Sequence, residues 1–132
     1  GGELLLGGER RGAIMYPTVV EQPPLNAKIS VLEVFGPVVA LYKFKRLSEA
    51  VKIANSVPYG LQAGVFTSSL EVALKLTLEL EYGGVLINDT SDFRVDFMPF
   101  GGFKLSGLGR EGVRYAIEQM TEVKTVVYRL PV

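Results

Sequence analysis

The residues with the clearest potential to bind a ligand lie in one glycine-rich stretch, 98–112, which also holds Lys104, Arg110 and Glu111. Glycines at this density let the backbone adopt positive φ angles and pass close to another group. Loops of this kind often carry binding residues on a rigid scaffold. The stretch therefore predicts a shaped loop that contacts a ligand, with a purely structural loop as the alternative.

Within this stretch, Gly107, Gly109 and Gly112 have the spacing of the dinucleotide-binding fingerprint G-x-G-x-x-G. That fingerprint needs a buried strand directly before the first glycine and an acidic residue at the end of the next strand. Here residues 103–106 follow a glycine pair, and Glu122 precedes its strand. We therefore do not interpret the match as a dinucleotide-binding site. A domain that binds nucleotide phosphates through these glycines remains a less favoured alternative.

The residue types that are missing narrow the possible chemistry. The chain has no cysteine and no histidine, which removes thiolate nucleophiles, disulfides, the commonest metal ligand and the commonest general base. Its 14 basic and 14 acidic residues give no net charge, which argues against nucleic acid or an anionic membrane as the main partner. Apolar runs are far shorter than the roughly 20 residues of a membrane-spanning helix. We expect a cytoplasmic protein without a metal site.

The central third of the sequence predicts an α/β core that positions the glycine-rich stretch. Continuous apolar runs indicate buried strands, and apolar residues at i, i+3, i+4 and i+7 indicate helices. Ser48 is a candidate helix N-cap, and Ser68 with Glu71 forms a candidate capping box. Right-handed crossovers between such strands give a parallel β-α-β-α-β core. The elements are strands at 38–44, 63–67 and 85–88 and helices at 48–57 and 68–82.

The flanking segments predict shorter elements. A strand at 4–6 and a charged hairpin turn at 9–12 precede an extended segment at 13–20. A further helix is expected to start near Arg110, with the buried stripe Val113, Ala116, Ile117 and Met120. Residues 123–130 predict a terminal strand. Because neither of its faces is cleanly apolar, we expect it to be exposed on one side or paired with another chain.

Six motifs follow one another along nearly the whole chain. They lie at 16–19, 33–37, 55–60, 83–88, 99–111 and 121–125, and they include Glu-Val-Phe-Gly-Pro at 33–37 and Thr-Glu-Val-Lys-Thr at 121–125. In their content and order they resemble the aldehyde dehydrogenase superfamily. The resemblance implies the C-terminal part of such an enzyme: residues 1–120 would belong to the catalytic domain and 121–132 would form an oligomerisation strand. A homo-oligomer formed through residues 121–130 is therefore expected.

The resemblance also implies roles for individual residues. The carboxylate of Glu33, in Glu-Val-Phe-Gly-Pro, would accept hydrogen bonds from the hydroxyls of the nicotinamide ribose of NAD or NADP. Phe35 would pack beside the nicotinamide ring. Phe100, in Pro-Phe-Gly-Gly, would line the tunnel through which the aldehyde substrate enters.

Residues 92–94 lie in the loop that shapes substrate choice in the family, so Phe93 and Arg94 are also candidate tunnel residues. A planar guanidinium at Arg94 could hold a carboxylate or phosphate on the aldehyde. A solvated arginine, or a salt bridge to Asp92 or Asp96, is an equally open interpretation.

The family's reaction requires a cysteine nucleophile, which this chain lacks. The chain also begins with Gly rather than Met, so we expect a segment of a longer polypeptide that is inactive alone. A stand-alone, catalytically dead module that binds a ligand or assembles with a partner subunit is the alternative. A domain that binds nucleotide phosphates through 107–112 would instead predict NAD binding to this chain alone.

Overall fold

The computed structural model describes residues 1–131, which divide after Pro58 into two compact units. The first unit contains a three-stranded sheet of order β1-β4-β5, in which β1 is antiparallel to β4 and β4 is parallel to β5. A separate antiparallel hairpin pairs β2 with β3. The elements are β1 Glu3–Leu6, β2 Arg10–Arg11, β3 Ile14–Met15, β4 Thr18–Glu21, α1 Lys28–Val31, β5 Val38–Leu41 and α2 Leu47–Asn55.

The second unit, from Tyr59 onward, is built around a parallel pair of strands, β7 and β8, joined by the helix α3. Ala73 and Leu76 of α3 and Leu86 of β8 are the buried apolar side chains of this unit. An antiparallel pair, β6 with β9, brings the glycine-rich stretch back beside Tyr59. The elements are β6 Tyr59–Gly60, β7 Gln62–Val65, α3 Leu70–Glu79, β8 Gly84–Ile87, β9 Phe103–Lys104 and α4 Val113–Met120.

The α/β fold class is confirmed, but the predicted single β-α-β-α-β sheet is not what the described residues form. β5 pairs with β4, and β7 pairs with β8, so two parallel pairs lie in separate sheets. β5 is also not buried on both faces, because Val39 is 53% exposed. An apolar run identifies a strand, but the partner of that strand is set by tertiary contacts that the run does not encode.

The helix N-caps lie one or two residues from their predicted positions. The N-cap of α2 is Arg46, without a side-chain hydrogen bond, rather than Ser48. The N-cap of α3 is Ser69 rather than Ser68, and its hydroxyl accepts a hydrogen bond from the backbone N–H of Val72 at 3.3 Å. Two adjacent serines give the same sequence signal, and the extended backbone of Ser69 decides which hydroxyl faces the helix.

The apolar stripe of α4 is present but is not buried within the part of the chain that the structure describes. Val113, Ile117 and Met120 are exposed. The predicted terminal strand is also not formed within 121–131, where every residue is exposed and without regular structure. A strand needs a hydrogen-bonded neighbour, and residues 1–131 supply none for this segment. Val132, the last residue of the predicted oligomerisation strand, lies outside the described residues.

None of the helices in residues 1–131 is long and apolar enough to cross a lipid bilayer.

Candidate functional site

The candidate substrate site begins where β8 ends. Asn88, the next residue, has a φ of 59°, so the backbone turns sharply out of the strand. The Asn88 side-chain oxygen accepts a hydrogen bond from the backbone N–H of Thr67 at 2.8 Å. Asn is among the few residues that adopt this left-handed conformation without a large penalty. The start of the loop at 88–98 is therefore fixed to the end of the neighbouring strand.

Arg94, in this loop, lies against Phe100, which follows the loop by two residues. The Cζ atom of the Arg94 guanidinium is 4.1 Å from the centre of the Phe100 ring, which is a close cation–π contact. Nη2 of Arg94 also donates a hydrogen bond to Oε2 of Glu111 at 3.0 Å. The guanidinium is therefore held on one face by an aromatic ring and at one edge by a carboxylate.

The backbones of Phe100 and Glu111 are bonded to each other in both directions. The N–H of Phe100 donates to the carbonyl oxygen of Glu111 at 3.1 Å, and the N–H of Glu111 donates to the carbonyl oxygen of Phe100 at 2.6 Å. This antiparallel bridge closes the glycine-rich segment 101–110 into a loop. Glu111 is thus bonded through its backbone to Phe100 and through its side chain to Arg94, two of the three predicted tunnel residues.

A pocket of about 190 Å³ opens beside these residues. It is walled on one side by β8 and its preceding glycines, and on the other by Arg94 and Phe100. A Cβ atom added to Gly83 would overlap the carbonyl oxygen of Gly101, so only glycine permits the observed approach of the two segments. The lining residues are Gln62, Gly83, Gly84, Val85, Leu86, Arg94, Met98, Pro99, Phe100 and Gly101.

The loop 33–37 of the first unit lies between α1 and β5. The side chain of Phe35 is 89% exposed, and its backbone has a φ of 50°, which is unusual for an aromatic residue. Glu33 is exposed and makes no hydrogen bond or ion pair within residues 1–131. The loop is anchored at its end, where the Pro37 carbonyl accepts a hydrogen bond from the Thr18 N–H at 2.8 Å.

These features can be compared with those of known proteins. Residues 1–126 match the Aldehyde dehydrogenase family. The chain belongs to the aldehyde dehydrogenase family. It is 53% identical over 127 residues to the lactaldehyde dehydrogenase of Methanococcus maripaludis, an alignment that covers 96% of this chain and 27% of that relative.

Two solved structures of aldehyde dehydrogenases superpose closely on the chain. Aldehyde dehydrogenase 21 of Physcomitrella patens, in complex with the reaction product succinate, has a TM-score of 0.92 at 50% identity, covering 98% of this chain and 27% of that one. Glyceraldehyde-3-phosphate dehydrogenase GapN of Methanocaldococcus jannaschii, complexed with NADP, has a TM-score of 0.88 at 48% identity, covering 96% and 27%. The chain thus spans about a quarter of the length of the family members it matches.

Within this family member, the structure brings Arg94 and Phe100 together as neighbours in one pocket. Phe93 is 45% exposed and is absent from the lining of that pocket, although its carbonyl oxygen accepts a hydrogen bond from the Gln62 side chain at 3.4 Å. Of the alternatives left open for Arg94, the salt bridge to Asp92 or Asp96 is not formed, because the carboxylate that pairs with Arg94 is that of Glu111. Asp92 is instead hydrogen-bonded to the hydroxyl of Thr90.

Glu111 is the functional candidate that sequence reasoning missed. It lies within the glycine-rich stretch, but its sequence neighbours give no sign that it faces Arg94, seventeen positions earlier. One feature of the sequence could have indicated it: Glu111 is the single acidic residue of the glycine-rich stretch, which also holds two basic residues. A partly buried cation is usually paired, so an acidic partner for a nearby arginine is expected.

Arg110, the arginine of the glycine-rich stretch, is hydrogen-bonded to the backbone of that stretch. Nη1 of Arg110 donates to the carbonyl oxygens of Gly109 at 2.6 Å and Gly102 at 3.3 Å, so the side chain crosses the loop and holds its ends together. The strand before Gly107, Phe103–Lys104, has two residues, both exposed. The buried strand that the dinucleotide fingerprint requires is therefore not what precedes these glycines.

One residue beside the pocket, Tyr82, has a shifted pKa. Burial raises the pKa of Tyr82, which directly precedes Gly83, and the positive charge of Lys104 opposes part of that rise. Within residues 1–131, no group of three or more histidine, cysteine or acidic residues is arranged to hold a metal ion.

Proposed function

We propose that this chain is the C-terminal part of the catalytic domain of an NAD(P)-dependent aldehyde dehydrogenase, an enzyme that oxidises an aldehyde to a carboxylic acid. The observation that carries the proposal is the pocket beside Arg94 and Phe100, which lies in a chain that belongs to this family from residue 1 to residue 126. The names of similar proteins support the reaction type, since they are dehydrogenases of lactaldehyde and of glyceraldehyde-3-phosphate.

The nucleophile that attacks the aldehyde must come from outside these 132 residues, because the chain contains no cysteine. The exposed apolar stripe of α4 also indicates that other parts of a larger catalytic domain are needed. Val113 and Met120 would bury their apolar surface against those parts. The 132-residue chain alone should therefore show no aldehyde-dependent reduction of NAD or NADP.

The loop 33–37 fits a role in binding the nicotinamide cofactor. Glu33 offers two carboxylate oxygens with no partner in residues 1–131, and a carboxylate can accept hydrogen bonds from two hydroxyls at once. The exposed ring of Phe35 can pack against a planar nicotinamide. When bound, NAD or NADP would accept the hydride from the substrate. The role of this chain would be to hold and orient the ribose and the ring.

Arg94, Phe93 and Phe100 would form the part of the aldehyde tunnel contributed by this chain. Arg94 makes one hydrogen bond within residues 1–131, to Glu111, whereas a guanidinium has five N–H donors. Its side chain is 39% exposed and lines the pocket. It therefore retains donors that could bind a second anionic group on the substrate. Succinate, bound to the Physcomitrella relative, and a phosphate ester, named for the Methanocaldococcus relative, are anions of this kind.

The proposal is tested on the full-length polypeptide that carries this segment. Formation of NADH and NADPH is measured with two aldehydes of equal carbon number, succinic semialdehyde and butanal, of which only the first carries a carboxylate. Arg94→Ala should raise KM for succinic semialdehyde by roughly tenfold or more, because a hydrogen bond to a charged group is lost. The KM for butanal should change little.

Equal changes for the two aldehydes would remove Arg94 from the proposal, and the absence of aldehyde-dependent NADH or NADPH formation in the full-length wild type would overturn the enzymatic assignment itself. The matched control is Arg114→Ala. Arg114 is also an exposed arginine paired with a glutamate, Glu118 at 2.9 Å, but it is absent from the pocket lining.

The segment 121–132 is proposed to form a strand across a subunit interface. Its exposed residues 121–131 carry polar and apolar side chains on both faces of an extended segment, and main-chain hydrogen bonds to a partner strand would supply the contact. Deleting residues 121–132 from the full-length enzyme should lower its oligomeric state in sedimentation measurements. If the shortened enzyme sediments with the same number of subunits as the wild type, this role is contradicted.

A further inference from the structure

One side chain in the lining of the pocket reaches from one wall to the other. Gln62 is the first residue of β7, and its partner across the parallel pair is Gly84 of β8. Both residues line the pocket. Nε2 of Gln62 donates a hydrogen bond to the carbonyl oxygen of Phe93, the residue before Arg94, at 3.4 Å. The amide therefore links the wall that contains β8 to the wall that contains Arg94.

The missing side chain at Gly84 gives Gln62 the room to cross the strand pair. A Cβ atom added to Gly84 would lie 3.2 Å from Cγ and 3.3 Å from Nε2 of Gln62, which is closer than ordinary van der Waals contact. Gly84 is not among the glycines with a positive φ angle, so its backbone conformation does not itself require glycine. The Gln62 side chain thus occupies the space that a side chain at position 84 would need.

The bond to Phe93 holds the middle of the loop that carries Arg94. Within residues 1–131, the other hydrogen bonds of residues 89–97 stay inside the loop, except that Arg94 bonds to Glu111. That ion pair fixes the guanidinium against the glycine-rich stretch rather than against β7. Among the described residues, Gln62 is therefore the group that ties this part of the loop to the strand pair β7–β8.

We propose that Gln62 is a positioning residue of the aldehyde tunnel. Through the Phe93 carbonyl it sets the distance between the Arg94 guanidinium and the opposite wall, and so the place where an anionic group on the substrate is bound. The inference rests on the proposed function, in which Arg94 faces the substrate. A displaced guanidinium binds an anion more weakly, because charge-assisted hydrogen bonds depend on distance and direction. An uncharged aldehyde does not use these bonds.

The experiment uses the full-length enzyme and compares KM and kcat for succinic semialdehyde and butanal. Gln62→Met keeps the length of the side chain and its packing over Gly84 but removes the N–H donor. It should raise the KM for succinic semialdehyde about fivefold, as the loss of one hydrogen bond does. The kcat values and the KM for butanal should change by less than about twofold, whereas a general loss of structure would affect both substrates alike.

Gln119→Met is the matched control. Nε2 of Gln119 also donates a hydrogen bond to a backbone carbonyl oxygen, that of Arg110 at 3.2 Å, but Gln119 is absent from the pocket lining. The variant should leave the ratio of the two KM values unchanged. If it changes this ratio as much as Gln62→Met does, the effect is not specific to the bond with Phe93 and the inference fails.

The space at Gly84 gives a second test of the same geometry. Gly84→Ala should push the amide away from the Phe93 carbonyl and raise the KM for succinic semialdehyde. Gln62→Ala removes the side chain that the new methyl group would meet, so in that background Gly84→Ala should add less than about twofold. An effect of Gly84→Ala that persists in that background means that the methyl group obstructs the pocket directly, and it overturns the inference.

Amide hydrogen exchange separates failure of this inference from failure of the proposed function. Loss of the bond to Phe93 should speed exchange in the segment 89–98 of Gln62→Met but not of Gln119→Met. Unchanged exchange in Gln62→Met refutes the role of Gln62, while a selective effect of Arg94→Ala on succinic semialdehyde would still support Arg94. If exchange speeds up but Arg94→Ala leaves the ratio of KM values unchanged, the substrate role of Arg94 fails, and with it the effect of Gln62 on substrate binding. If Gln62→Met does not fold, Gln62→Asn, which draws the amide back by one methylene group, is measured in its place with the same expectations.

Discussion

The two regions to which we assign binding roles are organised in opposite ways. In the pocket of the second unit, Arg94, Phe100 and Glu111 hold one another through a ring contact, an ion pair and a two-way backbone bridge. In the loop of the first unit, Glu33 has no hydrogen bond or ion pair within residues 1–131, and the ring of Phe35 is 89% exposed.

This difference shows which part of the site the chain can build without help. The substrate wall is arranged by contacts among residues 59–131, so its geometry is a property of this segment. The loop 33–37 presents exposed side chains that are available to a ligand, which we propose to be the dinucleotide. Substitutions should therefore damage structure in the pocket and ligand binding in the loop.

Alanine substitutions at two glycines, one in the pocket and one in the loop, test this contrast, and the pocket variant should show the largest loss of stability. Gly83→Ala would place a Cβ atom against the carbonyl oxygen of Gly101, and relief of this overlap requires the backbone to move. We expect a loss of about 3 kcal/mol in the free energy of unfolding, at the upper end of overpacking effects. The measurement is the urea unfolding midpoint of the full-length enzyme.

The matched variant in the loop is Gly36→Ala. A Cβ atom at Gly36 would lie 3.9 Å from the Met15 sulfur and from the Val34 carbonyl oxygen, which is ordinary contact. The stability change should stay within about 0.5 kcal/mol, as for most surface substitutions. Similar losses from the two alanines would mean that the loop is as tightly constrained as the pocket, and the contrast would be lost.

Glu33→Gln tests the loop as a cofactor site. The amide keeps the shape of the side chain but loses the charge that strengthens its hydrogen bonds to the ribose hydroxyls. The expected loss is about 2 kcal/mol, or roughly thirtyfold in the KM for NAD or NADP. The urea midpoint should not move, because Glu33 has no partner in residues 1–131 to lose.

Glu9→Gln, at another exposed acid of the first unit, is the control and should leave the cofactor KM unchanged. A Glu33→Gln enzyme with unaltered cofactor kinetics would remove the loop from the cofactor site, whatever its stability.

Phe35 gives a smaller and more local test, because its backbone φ is 50°. Phe35→Ala and Phe35→Gly both remove the ring, and both should raise the KM for the dinucleotide to a similar extent. Only glycine removes the strain of a side chain at positive φ, so Phe35→Gly should be about 1 kcal/mol more stable than Phe35→Ala. Equal urea midpoints for the two variants would show that the loop relaxes out of this conformation in the full-length enzyme.

The sequence located the central strands and helices, because each is encoded by residues close together in the chain, but its terminal strand at 123–130 is not formed within the described residues. The hydrophobic run at 85–88 and the glycine pair at 83–84 place β8 to within one residue. The N-cap of α3 was missed by one position, since Ser68 and Ser69 carry the same chemistry and only the backbone distinguishes them. The N-cap of α2 was missed by two, because Arg46 rather than Ser48 is the cap.

Pairings between distant residues could not be predicted in this way. Nothing near Arg94 in the sequence indicates that its partner is Glu111 rather than Asp92 or Asp96, because the glycine-rich loop decides which carboxylate returns to it. In the same way, the apolar run of β5 does not reveal that its partner is β4. The burial of the α4 stripe was predicted from periodicity alone, which identifies an apolar face but not what covers it.

The smallest effect concerns Tyr82, which adjoins Gly83 at the edge of the pocket. Burial raises its pKa above that of an unfolded tyrosine, and the charge of Lys104 only partly offsets this. A raised folded-state pKa means that the neutral phenol contributes stability fully below about pH 10 and loses it as the pH rises through the folded-state value. The urea midpoint of the wild type should thus fall more steeply above about pH 10 than that of Tyr82→Phe.

Tyr16→Phe provides the comparison for this alkaline effect, because Tyr16 is an exposed tyrosine of the first unit. Its midpoint should follow the wild type at every pH. If the difference between the wild type and Tyr82→Phe is the same on both sides of about pH 10, the phenol is solvated in the full-length enzyme. The edge of the pocket would then be as open as the loop that carries Phe35, and the contrast between the two regions would be confined to Arg94, Phe100 and Glu111.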